Sequence, residues 1–260
     1  PSFYTVGPLV QIDLGFVQIP TYYLVISLAY CLGIVWLYKR SEDRNLSQKQ
    51  AMDICLIIIF GGFLGARLSH ILFELPSYYW QNPMQVFAIW QGGFVFYGGA
   101  IAAYVGGFLY IRKFKLTFWL WHDTAAPVVA FCYAFGRTAC FLTGCCYGKV
   151  CDLPWAFPMK QVDIASGAVS TVHRHPTQIY AVLAELAIVV FLLWYERRRP
   201  KLGSVFLVWV LLHSIGRLVM EAFRDDPRGP SLWGLSVSTQ VSLLLFALSL
   251  VVFISRSRQA

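Results

Sequence analysis

The sequence has little charge. Aspartate, glutamate, lysine and arginine make up 13% of its 260 residues, whereas hydrophobic residues make up 58%. Soluble domains carry about 25% charged residues, so this scarcity excludes an ordinary soluble domain. The composition therefore predicts an all-α integral membrane protein.

Three further absences narrow the class of protein. Residues 1–19 precede the first apolar run without a basic segment, and no small-residue cleavage site follows that run, so we do not expect a cleaved signal peptide. The basic residues are divided among short loops and gather on no single face, which argues against a nucleic-acid partner. The sequence shows no internal repeat or low-complexity segment, and we expect one membrane domain over 1–260.

Apolar runs, by contrast, are abundant. A span needs about 20 residues to cross about 30 Å of hydrocarbon. Runs that reach or approach this length predict seven spans, at 20–38, 51–74, 87–111, 117–143, 177–196, 203–222 and 236–255.

Basic residues follow alternate spans and so predict the orientation. They come after spans one, three, five and seven: Lys39, Arg40, Arg44 and Lys49; Arg112, Lys113 and Lys115; Arg197, Arg198, Arg199 and Lys201; Arg256 and Arg258. The link at 75–86 has no charged residue, and the positive-inside rule then places the N-terminus outside and the C-terminus in the cytoplasm. We expect the outer face to carry an arm (1–19), a long loop (144–176) and a Pro/Gly-rich link (223–235).

Three arginines, Arg67, Arg137 and Arg217, lie inside predicted spans. An ionisable group at membrane depth costs at least about 2.5 kcal/mol, so each arginine needs a partner or a polar cavity. One interpretation is that Arg217 and Glu221, four residues apart on one helix face, neutralise each other. The distribution of arginines over three spans favours the other interpretation, that the guanidinium groups bind an anionic ligand within the bundle.

Glycines and a short histidine motif add two further hypotheses. The glycines at 61–65, 92–99 and 106–107 allow close helix approach. We place Gly98 and Gly99 in mid-span, where adjacent glycines also expose backbone N–H groups to a ligand. In "VHRHPTQIY", His175 and Gln178 share one helix face, and His175 is either a loop anchor or a catalytic group.

Cysteines concentrate at the outer end of the fourth span. Four of the seven lie there: Cys140, Cys145, Cys146 and Cys151. Structural or disulfide-bonded thiols, functional thiols near a substrate and a metal site are the alternatives. Their spacing fits the common zinc patterns poorly, so we expect no metal and no cofactor.

Five segments resemble the bacterial phosphatidylglycerol–prolipoprotein diacylglyceryl transferases: "FGGFLGARLSHILF", "FVFYGGAIAA", "HDTAAPVVAFCYAFGRTACFLTGCCYGKV", "RHPTQIYAVLAE" and "HSIGRLVMEAFR". The resemblance implies a multi-pass enzyme of the bacterial inner membrane. It implies transfer of the diacylglyceryl group of phosphatidylglycerol to the lipobox cysteine of a prolipoprotein, with release of glycerol 1-phosphate. The implied partners are phosphatidylglycerol, the lipobox-bearing signal peptide and the lipid bilayer.

The resemblance also implies site residues. Catalytic roles fall to Arg137, Arg217, Tyr97 and Tyr23, with Tyr22 as the alternative to Tyr23. Substrate-binding roles fall to Arg67, Gly98, Gly99, Cys140, Cys145, Gly148, His175, Gln178, Glu221 and Arg224. Tyr180 matches the span-five motif, and Asp123 matches an aspartate that opens span four.

Three positions depart from the family pattern. Tyr97 stands where the family has a histidine often assigned as general base, Cys140 replaces an asparagine, and Cys145 replaces a glutamate. A phenol with a pKa near 10 is a poorer base than histidine. Two alternatives therefore stay open: a related enzyme that transfers a lipid moiety to another acceptor, and a non-catalytic lipid-binding or thiol-redox protein on the same scaffold.

Overall fold

The computed structural model describes residues 3–13, 15, 18–225 and 234–258, and it is mostly helical. The described residues form eight α-helices: α1 (Thr21–Asp43), α2 (Gln48–Ser69), α3 (Pro76–Gln81), α4 (Phe96–Lys113), α5 (Phe118–Thr143), α6 (Thr177–Glu196), α7 (Ser204–Phe223) and α8 (Val237–Arg258). They also form five short strands: β1 (Phe3–Val6), β2 (Gln11–Asp13), β3 (Gln18–Pro20), β4 (Phe157–Asp163) and β5 (Val169–Arg174). Residues 226–233 of the predicted Pro/Gly-rich link lie outside the described residues.

Six helices in the described part of the chain are long and apolar enough to cross a membrane. They are α1, α2 with its π-helical continuation to Glu74, α5, α6, α7 and α8, and they match six of the seven predicted spans. Helix α1 shows the expected lipid-facing side, because Leu24, Leu28, Leu32 and Val35 recur at helical spacing and are exposed.

The third predicted span, 87–111, was placed wrongly at its start. Two short 3-10 turns, Pro83–Phe87 and Ile89–Gln91, precede α4, which begins only at Phe96. Gly92 and Gly93 separate them with φ angles of 81° and 78°, a left-handed conformation that a regular helix cannot contain. Helix α4 has 18 residues, and its crossing of the membrane stays a prediction.

The chain divides into two compact units, residues 1–35 with 122–260 and residues 36–121. In the second unit, α2 and α4 pack closely because glycines face each other. A Cβ atom on Gly65 would lie 2.7 Å from the carbonyl oxygen of Gly98, and one on Gly99 would lie 2.7 Å from that of Gly62. Gly98 and Gly99 therefore lie in the first turn of α4 and not in mid-span, where they allow helix packing.

In the first unit, a buried carboxylate holds the start of α7. Asp123, on α5, is 3% exposed. Its Oδ2 accepts a hydrogen bond of 2.6 Å from the backbone N–H of Gly203, and its Oδ1 accepts one of 2.8 Å from Phe206. These bonds satisfy donors at the N-terminus of α7 that no helical carbonyl reaches, so Asp123 fixes α5 against the start of α7.

A small antiparallel sheet corrects the expectation of a purely helical chain. Strands β1, β4 and β5 pair in the order β1-β4-β5, within the predicted arm (1–19) and long loop (144–176). Hydrogen bonds from Ser166 lower the pKa of the exposed Asp163 at the turn between β4 and β5. The arm also lies over the end of α5, because Leu9 N–H donates to the carbonyl of Leu142.

Candidate active site

Three helix ends of the first unit meet around a small cavity. They are the C-terminal part of α5, the first turn of α6 and the C-terminal part of α7. The lining residues are Arg137, Cys146, Thr177, Gln178, Ala181, Arg217, Met220 and Arg224. Three guanidinium groups from distant parts of the sequence thus border one space.

Arg137 is positioned by a series of contacts between aromatic and acidic side chains. Its Nε donates a 2.9 Å hydrogen bond to the hydroxyl of Tyr133, one turn earlier on α5, and its guanidinium lies 4.9 Å from the centre of that ring. The ring of His213 packs edge-on against Tyr133, and His213 Nδ1 lies 2.5 Å from Glu185 Oε1. Sequence reasoning missed Tyr133, although its i, i+4 spacing to Arg137 was a usable signal.

Arg217 pairs with Glu221 as the simpler interpretation predicted, since Nη2 and Oε2 lie 3.5 Å apart. Glu221 also accepts a 2.6 Å hydrogen bond from the hydroxyl of Ser236 and a 3.3 Å bond from Ser238, which ties α7 to the start of α8. The residues that line the cavity include three arginines, Arg137, Arg217 and Arg224, and Glu221 lies beside Arg217 at its edge. The net positive charge favours an anion, so ion pairing and anion binding are compatible.

Gln178 is buried at the cavity, and only the nitrogen of its side-chain amide is hydrogen-bonded within the described residues. It is 1% exposed, and its Nε2 donates a 2.6 Å hydrogen bond to the carbonyl of Cys145. Its Oε1 has no hydrogen-bond partner within the described part of the chain. A buried acceptor left unpaired costs about 1–3 kcal/mol, so this oxygen marks a position where a ligand donor would be stabilising.

Three thiols lie next to this cavity. The sulfur atoms of Cys140, Cys145 and Cys146 all lie within 4.8 Å of one another, and each is a free thiol. Hydrogen bonds from Cys140 and Cys145 hold the pKa of the Cys146 thiol well below its ordinary value, and the charges of Arg224 and Arg137 act in the same direction. Cys151 is not among these three thiols, and its own backbone N–H donates a 3.1 Å hydrogen bond to the carbonyl of His173.

Gly148 and His175 bring together the two ends of the segment between α5 and α6. The backbone N–H of Gly148 donates a 3.1 Å hydrogen bond to the carbonyl of His175, and a Cβ atom on Gly148 would lie 2.6 Å from the same oxygen. The ring of His175 lies 3.2 Å from the Tyr180 hydroxyl. These contacts favour the interpretation of His175 as a loop anchor.

Arg174 was also missed from the sequence. It is 4% exposed and donates to Gly148 O at 3.1 Å and to Asp225 Oδ2 at 3.0 Å. Its guanidinium also lies 4.6 Å from the ring centre of Tyr147. Arg174 thus connects the loop after α5 with the segment after α7, on which Arg224 lies.

Arg67, in the second unit, has a different environment. Its guanidinium donates to five backbone carbonyls: Val86, Gly92, Gly93, Gln85 and Ala88, at 3.3, 2.5, 3.2, 2.6 and 3.4 Å. A guanidinium has five N–H donors, so this set accounts for all of them. The structure therefore gives Arg67 a structural role in folding the segment that leads into α4.

Comparison with known proteins finds a match that includes the segments that form this site. Residues 9–255 match the family model described as prolipoprotein diacylglyceryl transferase. The chain belongs to this family.

The relatives cover nearly the whole chain. A phosphatidylglycerol–prolipoprotein diacylglyceryl transferase of Clostridium tetani is 34% identical over 244 residues, which are 94% of this chain and 96% of the relative. Proteins with the same name from Bordetella avium and Geobacter sulfurreducens are 31% and 32% identical, over 92% and 89% of this chain and 89% and 90% of their own lengths.

The structure brings together most of the site residues that resemblance to the diacylglyceryl transferases implied. Arg137, Arg217, Arg224 and Gln178 line the cavity. Glu221, Cys140, Cys145, Gly148 and His175 lie in the same unit, close to those residues through the contacts above. Arg67, Tyr97, Gly98 and Gly99 belong to the second unit, where Tyr97 lies in the first turn of α4.

Of the two candidate tyrosines on α1, Tyr22 is the one beside the thiols. Its phenol interacts electrostatically with Cys140, Cys145 and Cys146. Tyr23 is 61% exposed and packs edge-on against Tyr22. Tyr22, the less exposed of the two tyrosines, is thus the one near the thiols.

Proposed function

We propose that this protein transfers the diacylglyceryl group of phosphatidylglycerol to the lipobox cysteine of a prolipoprotein and releases glycerol 1-phosphate. The observation that carries the proposal is the cavity where Arg137, Arg217 and Arg224 converge, in a chain that belongs to the diacylglyceryl transferase family. Arginine binds phosphate through a planar set of donors, and a phospholipid is the anionic ligand that the bilayer itself supplies.

The reaction needs charge stabilisation at the leaving group. The acceptor thiol releases its proton to solvent and its sulfur forms a bond to a glycerol carbon of the lipid. The carbon–oxygen bond to the phosphate breaks, and the electron pair leaves on that oxygen. The phosphate gains negative charge as the bond breaks. Arg137 and Arg217, already positioned by Tyr133 and Glu221, stabilise this charge without having to reorient.

Gln178 gives the cavity a feature that fits the headgroup. Phosphatidylglycerol ends in a glycerol with two hydroxyl groups, and each hydroxyl is a hydrogen-bond donor. We assign one of these hydroxyls as the donor to the buried Oε1 of Gln178, which has no hydrogen-bond partner within the described part of the chain. Arg224 would bind the outer side of the same phosphate.

The remaining site residues lie outside the cavity lining. The role of Tyr97 near the headgroup or the attacking thiol rests on the family resemblance alone, and the same holds for Gly98 and Gly99 as ligand contacts. Tyr22 replaces Tyr23 as our candidate on α1. We place Arg67 outside the substrate contacts, because its five donors serve backbone carbonyls.

We further propose the membrane arrangement that this reaction requires. The protein crosses the bacterial inner membrane seven times, with α4 as the third span, its N-terminus outside and its C-terminus in the cytoplasm. The basic residues that follow alternate spans support this orientation. The ends of α5 and α7 that carry the arginines then face the outer leaflet.

The direct test is transfer by the purified full chain. The protein in detergent is mixed with phosphatidylglycerol labelled in its acyl chains and a peptide that carries a lipobox. The expected result is a labelled peptide together with glycerol 1-phosphate. A peptide with serine in place of the lipobox cysteine is the matched control and should stay unlabelled. Release of glycerol 1-phosphate without peptide labelling would show a different acceptor and contradict the proposal.

A further inference from the structure

The turn after α5 gathers three sulfur atoms in one place. Cys140 lies in the last turn of α5, and the backbone N–H groups of Gly144 and Cys145 both donate to its carbonyl, at 3.0 and 3.1 Å. The chain thereby folds back, and Cys146 continues it with a φ of 61°, a strained conformation for a residue with a side chain. The result is a triangle of sulfurs, each within 4.8 Å of the others.

Buried side chains of α6 hold this turn from behind. Gln178 donates to the carbonyl of Cys145 at 2.6 Å, and Thr177 donates to that of Cys146 at 2.8 Å. Both residues are almost fully buried, at 1% and 3% exposed. Partners of this kind orient the ligands of metal sites, and here they fix the backbone of two of the three thiol residues.

The triangle matches the geometry of a thiolate metal site. Zinc–sulfur bonds of about 2.3 Å in a tetrahedral site place sulfurs about 3.8 Å apart, so small side-chain rotations bring these three sulfurs into position. Within the described residues, the group offers three ligand atoms. Three protein ligands with a fourth position left for water or substrate is the pattern of catalytic zinc sites.

We propose that Cys140, Cys145 and Cys146 bind one Zn²⁺ ion as three thiolates, and that its fourth position receives the acceptor thiol. The second half of this proposal rests on the proposed function. The sequence predicted no zinc site, because the spacing of these thiols fits the common zinc patterns poorly and the return of the chain after α5 is a property of the fold.

The surrounding charge fits such a site. Three thiolates and one Zn²⁺ carry a net charge of −1, and Cys146 lines the same cavity as Arg137 and Arg224. The two guanidinium groups would stabilise the anionic centre. An acceptor bound there would also lie beside the arginines that we assign to the phosphate of the donor lipid.

A zinc ion would deprotonate the acceptor thiol without the histidine base that the family has at the position of Tyr97. A thiol that coordinates zinc loses its proton, which passes to solvent as the acceptor binds. The zinc-bound sulfur then attacks the glycerol carbon, a carbon–sulfur bond forms, and the phosphate leaves with the electron pair of the broken carbon–oxygen bond. The thioether product is a weaker ligand and leaves the metal. A histidine base is then not required, in keeping with Tyr97.

The first experiment measures metal content. The full chain is purified under reducing conditions without chelators, and its metals are quantified by mass spectrometry, with about one zinc per chain expected. Cys140→Ser, Cys145→Ser and Cys146→Ser should each lower bound zinc to roughly a tenth. Cys151→Ser, which removes a thiol outside the triangle, should retain it. Size-exclusion chromatography checks that each variant is folded.

A second measurement uses the unmodified chain and so does not depend on variants that fold. Zinc is replaced by Co²⁺, whose absorption reports thiolate ligation. The expected spectrum contains sulfur-to-cobalt charge transfer, and it should change when a lipobox peptide is added but not when the serine control peptide is added.

The outcomes separate this proposal from the transfer reaction. A protein that transfers lipid but contains no zinc, that holds copper in place of zinc, or that has a disulfide within the triangle contradicts the zinc site and leaves the proposed function standing. Zinc that depends on the three thiols, in a protein without transfer, supports the site and contradicts the proposed function. Zinc bound without any response to the lipobox peptide overturns the role of the fourth position.

Discussion

At the scale of single residues, Arg67 and Arg137 show that the same residue type has different environments in two apolar helices. Arg67 donates to carbonyls of a neighbouring segment, and it is 5% exposed. Arg137 bonds to Tyr133 and borders a cavity shared with two further arginines. The first arrangement stabilises a fold, whereas the second brings three guanidinium groups to one cavity.

We predict that Arg137→Ala and Arg217→Ala abolish most transfer without unfolding the protein. A charge-assisted hydrogen bond contributes about 1.5–3 kcal/mol, so losing one made to the leaving phosphate should lower the rate about 10- to 100-fold. Arg137→Lys keeps the charge but not the planar donors, and it should be nearly as inactive. The measurement is labelled diacylglyceryl transfer, with elution from a sizing column as the folding check.

Arg197→Ala is the matched control for this series. Arg197 is an exposed arginine at the end of α6, and its replacement should leave the rate nearly unchanged. If folded Arg137→Ala and Arg217→Ala proteins turn over at the unmodified rate, the arginines do not stabilise the leaving phosphate.

Arg67 should behave differently from Arg137. Replacement by alanine or lysine leaves several carbonyls near Gly92 without donors, and each unpaired buried group costs about 1–3 kcal/mol. We therefore expect both variants to lower the thermal unfolding temperature in detergent markedly. Arg112→Ala, an exposed arginine of the same unit, should not. A stable Arg67→Ala protein that had lost only its transfer rate would instead argue for a substrate contact.

At the scale of secondary-structure elements, close contacts decide how the helices pair. Asp123 fixes the start of α7 through two backbone N–H groups. Helices α2 and α4 approach so closely that a methyl group does not fit between them at several glycines. In the membrane, where apolar side chains gain little from leaving lipid, such packing is a main source of helix association.

The glycine interface gives a prediction with an internal control. Gly65→Ala would place a methyl group 2.7 Å from the carbonyl oxygen of Gly98, and we expect it to destabilise the protein by about 1–3 kcal/mol, as overpacking does. In Gly216→Ala, on α7, no described atom lies within 4 Å of the new Cβ. That change should be neutral or stabilising by about 0.5–1 kcal/mol. Thermal unfolding of the two variants in one detergent tests this difference, and equal effects would contradict it.

At the scale of the whole molecule, the chain combines membrane helices with a small sheet built from segments far apart in sequence. Strand β1 pairs with β4, so that Phe3 lies opposite Asp163. The arm and the long loop thereby become one structure next to the end of α5. Our proposed orientation places that structure outside the cytoplasm.

Reporter fusions test this orientation. An alkaline phosphatase joined after Ala165, in the turn between β4 and β5, should be active because the enzyme matures only outside the cytoplasm. A fluorescent protein joined after Pro200, in the link between α6 and α7, should be bright. The reverse pattern at both sites would invert the proposed topology, and two sites on the same side of the membrane would mean that α6 does not cross it.

Much of the architecture followed from the sequence. Six of the predicted spans match helices, because hydropathy sums over about 20 neighbouring residues and needs no knowledge of the fold. The beginning of α4 was missed because Gly92 and Gly93 adopt left-handed angles that depend on their contact with Arg67. The sheet was missed because its strands are short and because β1 pairs with β4, which lies more than a hundred residues further along the chain.

The sequence by itself determined that this is a membrane protein, which family it resembles and which arginines and cysteines need an explanation. Those are properties of composition, of local periodicity and of ordered motifs. Only the tertiary structure decided that Arg67 serves the backbone, that Arg137, Arg217 and Arg224 share a cavity, and that three thiols meet beside it. The physical reason is that the environment of a charge or a thiol depends on which distant segments the fold brings within hydrogen-bonding distance.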